Sequence, residues 1–221
     1  IGAADMELPE PVRYRARWIG IFDPAADVSA IEIIENGSFV VAGPSITEVN
    51  KRAPRPFVDL GEVLVLPGFV NAHVHLDLST FQEPLPIGDG FCDWLRRVVA
   101  HRRQTGSDTV RSRAIEHGVS EVIAGGAGMI GDYCAGPHFG IAQRRGLDGI
   151  IFQEVIGLKP QRYEETWRAA IALLDSETAP AVCIAPHAPY STSRTIYDRC
   201  ADLDSIHSTH WYETLEVRFF L

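Results

Sequence analysis

The pattern of hydrophobic and polar positions changes shortly after residue 60. Between residues 12 and 62, short alternating or β-branched segments are separated by turn signals such as Glu35-Asn36-Gly37, which predicts a small β unit. Beyond Gly61, apolar segments alternate with helical ones, a pattern typical of βα units around a parallel sheet. We therefore predict two domains, residues 1–62 and residues 63–221.

The βα pattern of the second region can be divided into individual elements. Strands are predicted at residues 63–71, 127–132, 149–155, 181–185 and 205–210. Helices are predicted at residues 90–103, 108–124, 139–145, 164–176 and 193–203. The first helix repeats apolar residues at every third or fourth position, which predicts one buried face that includes Trp94. This spacing favours a core position for Trp94 and leaves a substrate contact as the alternative.

Composition and charge exclude several classes of protein. The 221 residues are 46% hydrophobic and 22% charged, as in an ordinary folded protein. The net charge is −9 and no basic run occurs, which argues against a nucleic-acid partner. No apolar run approaches the ~20 residues that span a bilayer, so no membrane partner is predicted. The cysteines form no Cys-x-x-Cys pair, which favours a reducing cytoplasm over a disulfide framework or a thiolate zinc site.

The histidines near the end of the first predicted strand are the strongest chemical signal. His73 and His75 are two residues apart, so a strand would point both side chains the same way. Two imidazoles at the carboxyl end of such a strand could hold one metal ion, and a packed or solvated pair is the alternative. Glu154 comes at another predicted strand end, where it could face a pocket or lie in an exposed loop.

Three sequence blocks carry a family resemblance. The block Pro67-Gly68-Phe69-Val70-Asn71-Ala72-His73-Val74-His75 resembles the first barrel strand of the amidohydrolase superfamily. The segment from Ala185 to Ser193 resembles the cytosine deaminase-like branch, in which a histidine at the position of His187 contacts the substrate. The segment His210-Trp211-Tyr212-Glu213 resembles the family's His-x-x-Glu. Weaker similarity around residues 76–79 and 90–95 points toward aminodeoxyfutalosine deaminases.

The resemblance implies a set of site residues. His73, His75 and His210 would be metal ligands, and Glu213 would shuttle the proton. His187, Glu154 and Trp94 are the candidate substrate-binding residues. The implied cofactor is one divalent metal ion, with zinc favoured and iron as the alternative. A carboxylated lysine bridging two metals is not expected, because the two lysines are Lys51 and Lys159 and neither is suitably placed.

The resemblance also implies a fold and a reaction. The fold is a (β/α)8 TIM-type barrel with a small β-sandwich, although the ~250 residues of a full barrel leave only about five βα units in this chain. The family's later aspartate and histidine have no counterpart here, so we expect a chain that is incomplete at its C-terminus. The implied reaction is hydrolytic deamination of an aminated purine nucleoside such as aminodeoxyfutalosine, adenosine or S-adenosylhomocysteine.

Several alternatives stay open at this point. The same metal site could dechlorinate a triazine-type ring or open a cyclic amide. The missing acidic ligand also leaves a binding fragment without turnover as a candidate. The expected partner is a small-molecule substrate, and a homodimer is possible.

Overall fold

The computed structural model describes residues 10–22, 31–81, 83–86, 88, 90–104, 107–134, 145–174, 181–211 and 213–215. The chain divides into two compact units, Ile1–Pro67 and Gly68–Leu221. Within the described residues, no helix combines the length and the apolar character that crossing a membrane requires.

The first unit is built from two small sheets. Its strands are β1 (Val12–Arg15), β2 (Trp18–Phe22), β3 (Ile31–Glu35), β4 (Ser38–Ala42), β5 (Ser45–Asn50), β6 (Val58–Asp59) and β7 (Leu64–Val65). One sheet has the order β5-β4-β1-β6 and the other β3-β2-β7. Ala16, Ile19, Ile34 and Phe39 form a buried cluster to which both sheets contribute. Asn36 has a φ of 51°, so the predicted turn adopts the left-handed conformation that asparagine tolerates.

The second unit is a parallel sheet with helices against one face. Its elements are β8 (Phe69–Val74), a 3-10 helix (Leu76–Leu78), α1 (Phe91–Gln104), α2 (Asp108–Ala124), β9 (Ala127–Cys134), β10 (Asp148–Val155), α3 (Pro160–Leu174), β11 (Val182–Pro186) and α4 (Arg194–Ala201). The strand order is β11-β10-β9-β8, and the pairings are parallel. Strands that are adjacent in sequence are therefore adjacent in the sheet, as in βα repeats.

Residues on the two faces of this sheet pack differently. On one face, Val155 and Ile184 pack with Ala170 of α3 and Ile196 of α4. Tyr133, Phe152, Cys183 and Ala185 form a separate buried cluster, because alternate residues of a strand point to opposite faces. This second face carries the rings that line the approach to the strand ends.

Most helix predictions agree with the structure. The predicted helix 108–124 is α2, and Ser107 caps it by accepting a hydrogen bond from the Val110 amide. The helix predicted from residue 164 begins earlier, at Pro160, because proline is well suited to the first turn of a helix. The predicted helix 139–145 lies almost entirely outside the described residues.

Two strand predictions are wrong. The single strand predicted at 63–71 is two strands: β7 pairs with β2, and β8 pairs with β9. Pro67 lies between them and cannot donate a backbone hydrogen bond to a ladder. The strand predicted at 205–210 has no regular strand assignment. This segment is held instead by separate bonds, such as the His210 amide to the His187 carbonyl at 2.8 Å.

Candidate metal centre and active site

Three histidine side chains converge at the carboxyl end of the parallel sheet. His73 and His75 come from the end of β8, and His210 comes from the irregular segment after α4. The Nε2 atoms of His73 and His75 are 3.4 Å apart, and those of His75 and His210 are 3.2 Å apart. A zinc ion with nitrogen ligands at about 2.0–2.1 Å in tetrahedral geometry would separate them by about 3.3 Å. The donor set therefore fits a single divalent ion.

Backbone carbonyls determine which nitrogen of each ring faces the cluster. His75 Nδ1 lies 2.9 Å from the Tyr133 carbonyl oxygen on β9, and His210 Nδ1 lies 3.0 Å from the His187 carbonyl oxygen. A carbonyl can only accept, so Nδ1 donates its proton in both rings. The Nε2 lone pairs are thus left available for a metal, as in other histidine metal sites. The ring of His73 is oriented differently, by stacking on Tyr133 at a centroid distance of 4.1 Å.

The surroundings favour the uncharged form of the two imidazoles at the end of β8, His73 and His75. Burial lowers the pKa of His75 to about 3, and the positive charge of Arg102 contributes in the same direction. Burial also lowers the pKa of His73. Metal binding requires neutral imidazole, so no proton has to be displaced from His73 or His75 at pH 7.

A second pair of functional groups lies beside the three histidines. His187 follows β11, and its ring centroid is 4.8 Å from that of His210. Its Nδ1 is hydrogen bonded to the Ser191 hydroxyl at 2.6 Å, and burial lowers its pKa to about 3. Glu154, at the end of β10, places Oε1 3.7 Å from His187 Nε2. Together with His210, these two residues form another group whose ligand atoms lie close together.

Glu154 is buried without the partners that a carboxylate normally has. Its side chain has no solvent exposure, and neither oxygen has a hydrogen-bond partner among the described residues. Burial raises its pKa to about 7, so the protonated form is substantially populated at neutral pH. Such an arrangement costs stability, which makes it a candidate functional feature.

Glu213 is oriented by a tyrosine from the loop after β11. The Tyr190 hydroxyl donates a hydrogen bond to Glu213 Oε2. The Tyr190 ring stands edge-on to the His187 ring at a centroid distance of 5.9 Å. Burial raises the pKa of Tyr190, so this hydroxyl keeps its proton and remains a donor. The structure thus connects the predicted residues His187 and Glu213 through a tyrosine that the sequence analysis did not assign.

Trp94 lies further from the cluster than the other predicted site residues. It packs on Phe91 at a centroid distance of 5.8 Å, and Phe91 in turn contacts Tyr190 edge-on at 6.0 Å. Among the described ring contacts, Trp94 reaches none of the histidines. Its predicted role in substrate binding stays a prediction.

Arg102 is the main site residue that sequence reasoning missed. From α1, its Nη2 donates to Asp77 Oδ1 at 3.1 Å, and its Nη1 lies 3.7 Å from Glu154 Oε2. Asp132 on β9 is also buried; it accepts a hydrogen bond from the Leu76 amide, and burial raises its pKa to about 7. One signal was available: Arg102 is four residues after Val98, on the buried face of the helix.

Comparisons with known proteins define the family. Residues 64–218 match the model of the amidohydrolase family, so the chain belongs to this family. A 5-methylthioadenosine/S-adenosylhomocysteine deaminase from Nitratidesulfovibrio vulgaris is 25% identical over 197 residues, which cover 77% of this chain and 42% of that protein.

Two solved structures show the fold. The aminofutalosine deaminase of Helicobacter pylori, in complex with methylthio-coformycin, has a TM-score of 0.75 at 20% identity, covering 94% of this chain and 52% of that one. An atrazine chlorohydrolase from Arthrobacter aurescens, complexed with zinc, has a TM-score of 0.73 at 16% identity, covering 93% and 54%. The predicted amidohydrolase barrel fold is confirmed, with only part of it present. The chain spans about half the length of the proteins it matches.

Proposed function

We propose that this chain carries the metal site of a hydrolase that removes the amino group of an adenosine-type purine nucleoside. The observation that carries the proposal is the convergence of three imidazoles at the strand ends, beside His187 and Glu213. Similarity to a deaminase of 5-methylthioadenosine and S-adenosylhomocysteine supports the substrate class.

The metal ligands in this proposal are His73, His75 and His210. Three nitrogen ligands and a tetrahedral spacing favour zinc, with iron as the alternative, and the similar chlorohydrolase was solved with zinc. When bound, the ion supplies a water molecule whose pKa is lowered to about 7, and therefore a nucleophile at neutral pH.

Two side chains would handle the substrate and the proton. Glu213, held by the Tyr190 hydroxyl, would carry a proton to the ring nitrogen next to the carbon under attack. His187 is neutral and fixed by Ser191, so it would form a hydrogen bond with the substrate without adding charge. Protonating the ring nitrogen would make the carbon more electrophilic, so that the oxygen of water could add to it. The amino group would then take up a proton from that water, the carbon–nitrogen bond would break, and ammonia would leave.

Glu154 has a different role in this proposal. Its side chain has no exposed surface, which favours an indirect role. It would act through His187, whose Nε2 is 3.7 Å away, by limiting the orientations of that ring. Glu154 is a positioning residue in this proposal, and its direct contact with the substrate stays a prediction.

The cellular setting is also part of the proposal. None of the four cysteines, Cys92, Cys134, Cys183 and Cys200, forms a disulfide among the described residues, which supports a reducing cytoplasm. The partner would be a small-molecule substrate, and a homodimer stays a prediction.

The test combines metal analysis with product detection. The chain, purified in the presence of zinc, should contain about one zinc per molecule by elemental analysis. Incubation with adenosine, 5-methylthioadenosine and S-adenosylhomocysteine should release ammonia. His73→Ala should lose most of the metal and all detectable ammonia release. His117→Ala is the matched control, because His117 is exposed on α2 and pairs only with Glu121 among described residues.

Three outcomes would contradict the proposal in different ways. Absence of bound metal, or equal metal content in His73→Ala and His117→Ala, would remove the metal site. Chloride release from a chlorotriazine without ammonia from any nucleoside would indicate the chlorohydrolase alternative. Bound metal with no product from either class would indicate a binding role without turnover.

A further inference from the structure

Tyr133 on β9 contacts each of the three proposed metal ligands. Its ring stacks on the ring of His73 at a centroid distance of 4.1 Å. Its backbone carbonyl accepts the hydrogen bond from His75 Nδ1 at 2.9 Å. Its ring also lies edge-to-face with the His210 ring at a centroid distance of 5.2 Å. One residue of β9 therefore touches ligands that come from two different parts of the chain.

The Tyr133 ring is itself held on both sides. Tyr133 is buried, and the ring of Phe152 on β10 stacks on it at a centroid distance of 4.7 Å. Since β9 lies between β8 and β10 in the sheet, the Tyr133 ring lies between the rings of His73 and Phe152. A closely packed ring of this kind has few orientations open to it, so the direction of its hydroxyl is fixed.

The segment that carries His210 is anchored at one edge of the sheet. Residues 205–210 form no regular strand. The His210 amide and the Thr209 hydroxyl both donate to the His187 carbonyl, directly after β11, at 2.8 and 3.2 Å. The other two ligands belong to β8, at the opposite edge of the order β11-β10-β9-β8. These hydrogen bonds fix His210 relative to β11, but they do not fix it relative to β8.

A hydrogen bond between two hydroxyl groups connects this segment to the neighbour of β8. The Tyr133 hydroxyl is bonded to the hydroxyl of Ser208, two residues before His210. Tyr133 lies on β9, which pairs directly with β8. Because Tyr133 also stacks on His73 and binds His75, the hydroxyl bond links the two groups of ligands. Without it, the ring stack would remain, but the segment of His210 would be free to shift.

The proposed zinc site is sensitive to a shift of this kind. The Nε2 atoms of His75 and His210 are 3.2 Å apart, which suits two nitrogen ligands of one tetrahedral zinc ion. A displacement of His210 would lengthen one bond to the metal or distort its angles. Residues that orient metal ligands without touching the metal typically change its affinity by about 10–100-fold.

Building on the proposed function, we propose that Tyr133 is a positioning residue of the metal site. Its hydroxyl, through Ser208, holds His210 at the distance from His73 and His75 that one zinc ion requires. The hydroxyl acts through the ligands and is not a ligand itself. Zinc affinity therefore depends on a hydrogen bond between two side chains that do not bind the metal.

The test compares zinc binding by variants of this hydrogen bond. Tyr133→Phe keeps the ring and removes the hydroxyl, and Ser208→Ala removes its partner. Each should raise the dissociation constant for zinc by about 10-fold, measured by competition with a chromophoric chelator. The double variant Tyr133→Phe/Ser208→Ala should lose no more than either single variant, because both substitutions remove the same bond. Ser208→Thr, which retains a hydroxyl, should bind zinc as tightly as the parent chain.

Tyr197→Phe is the matched control. The Tyr197 hydroxyl, on α4, is bonded to the Thr209 hydroxyl at 3.1 Å. This variant therefore removes a tyrosine hydroxyl from the same segment without cutting the link to β9. Thr209 keeps its bond to the His187 carbonyl, so zinc affinity should stay within about 2-fold of the parent value.

Cobalt(II) in place of zinc gives a second measurement that does not depend on activity. The visible absorption of bound cobalt(II) depends on the number and geometry of its ligands. Tyr133→Phe and Ser208→Ala should change this spectrum in the same way, whereas Ser208→Thr and Tyr197→Phe should reproduce the parent spectrum. A purely structural loss would lower the urea midpoint without altering the spectrum of the folded chain. If Tyr133→Phe does not fold, Ser208→Ala and Ser208→Thr test the same bond.

The outcomes separate this inference from the proposed function. Unchanged zinc affinity in both Tyr133→Phe and Ser208→Ala would overturn the positioning role and leave the metal site and deamination intact. An equal loss in Tyr197→Phe would also overturn it, because any loosening of the segment would then have the same effect. Zinc affinity that depends on the hydroxyl bond, without ammonia from any nucleoside, would support the inference and contradict the deaminase. Absence of zinc binding by the parent chain would overturn both.

Discussion

The charged side chains of the β unit and those at the strand ends of the second unit lie in opposite environments. In the β unit, Arg13 pairs with Glu48 at 2.8 Å and Arg15 with Asp59 at 3.0 Å, and both acidic side chains are 52% exposed. At the strand ends of the second unit, Glu154 has no exposure and its nearest guanidinium nitrogen is 3.7 Å away. The first group is solvated and paired, whereas the second is buried and incompletely paired.

The pKa values of the acidic groups follow the same division. The Gly61 amide and Arg15 lower the pKa of Asp59, and Arg13 lowers that of Glu48. Burial instead raises the pKa values of Asp132 and Glu154 to about 7. Groups of the second kind make folding less favourable at neutral pH, so a sequence shaped by stability alone would replace them. We infer that the buried acidic groups at the strand ends are retained because they serve the function of the site.

The largest expected effect is an acid-dependent loss of stability from the buried histidines. Burial lowers the pKa of His187 from 6.5 to about 3, so between these values the unfolded chain binds a proton that the folded chain does not. Stability of the metal-free chain therefore falls as the pH drops through this window, by roughly 3 kcal/mol at pH 4 and roughly 4 kcal/mol at pH 3 from this residue.

Urea denaturation of the metal-free chain from pH 7 to pH 4 measures this effect. The difference in unfolding free energy between the parent chain and His187→Asn should change with pH by the amounts given above. His117→Asn serves as the control, because it removes an exposed imidazole from α2, outside the site. A pH-independent difference for His187→Asn would show that this ring titrates normally in the folded chain.

The next effect has the opposite pH dependence and comes from Glu154. Its pKa is raised from 4.5 to about 7, so the folded chain binds the extra proton between these values and stability falls as the pH rises. Glu154→Gln should therefore be about as stable as the parent near pH 5 and on the order of 3 kcal/mol more stable at pH 8. Denaturation curves at the two pH values give the comparison.

The same substitution should damage function. If Glu154 positions His187, Glu154→Gln should lower kcat by about 10-fold or more while the zinc content stays at about one per chain. Glu48→Gln in the β unit is the control, and it should leave kcat unchanged. A fully active Glu154→Gln would contradict the positioning role.

These buried contacts also show what could be predicted from the sequence. His73 and His75 were identifiable because their spacing of two places them together on any strand, and α2 was predictable from its cap and periodicity. The link from Arg102 to Asp77 joins residues 25 positions apart, and the link to Glu154 joins two separate elements. Such contacts depend on how α1 packs on the strand ends, which local patterns do not specify.

The errors in the strand predictions have a related cause. The apolar run from Val63 to Asn71 continues through Pro67, so hydrophobicity alone predicted one strand where two different sheets each take a part. The segment before His210 contains the β-branched residues Ile206 and Thr209, but Tyr133 and His187 hold it through individual hydrogen bonds rather than a ladder. In both places, the structure of the segment is decided by the strands or residues that bond to it, rather than by its own sequence pattern.

A smaller effect is expected from Arg102, which pairs with the partly exposed Asp77 and also lies near the buried Glu154. Arg102→Gln removes the ion pair with Asp77, whose side chain is 10% exposed, and leaves that carboxylate largely buried without a cation. We expect a loss of about 1–3 kcal/mol in unfolding free energy, with zinc content retained. Arg97→Gln, which breaks the more exposed pair with Asp93, should cost less than half as much. Equal costs for the two variants would show that burial does not distinguish these pairs.

The smallest effect belongs to the β unit and completes the comparison. Arg15→Gln removes the pair with Asp59, in which the acid is half exposed and also accepts a hydrogen bond from the Gly61 amide. Because solvent screens such a pair and Gly61 still satisfies the carboxylate, the loss should stay below about 1 kcal/mol and shrink further in 0.5 M salt. Urea denaturation at low and high salt measures it, with zinc content as a second readout that should not change. A loss as large as that of Arg102→Gln, or one insensitive to salt, would mean that the exposed pairs of the β unit support the fold as strongly as the buried charges at the strand ends.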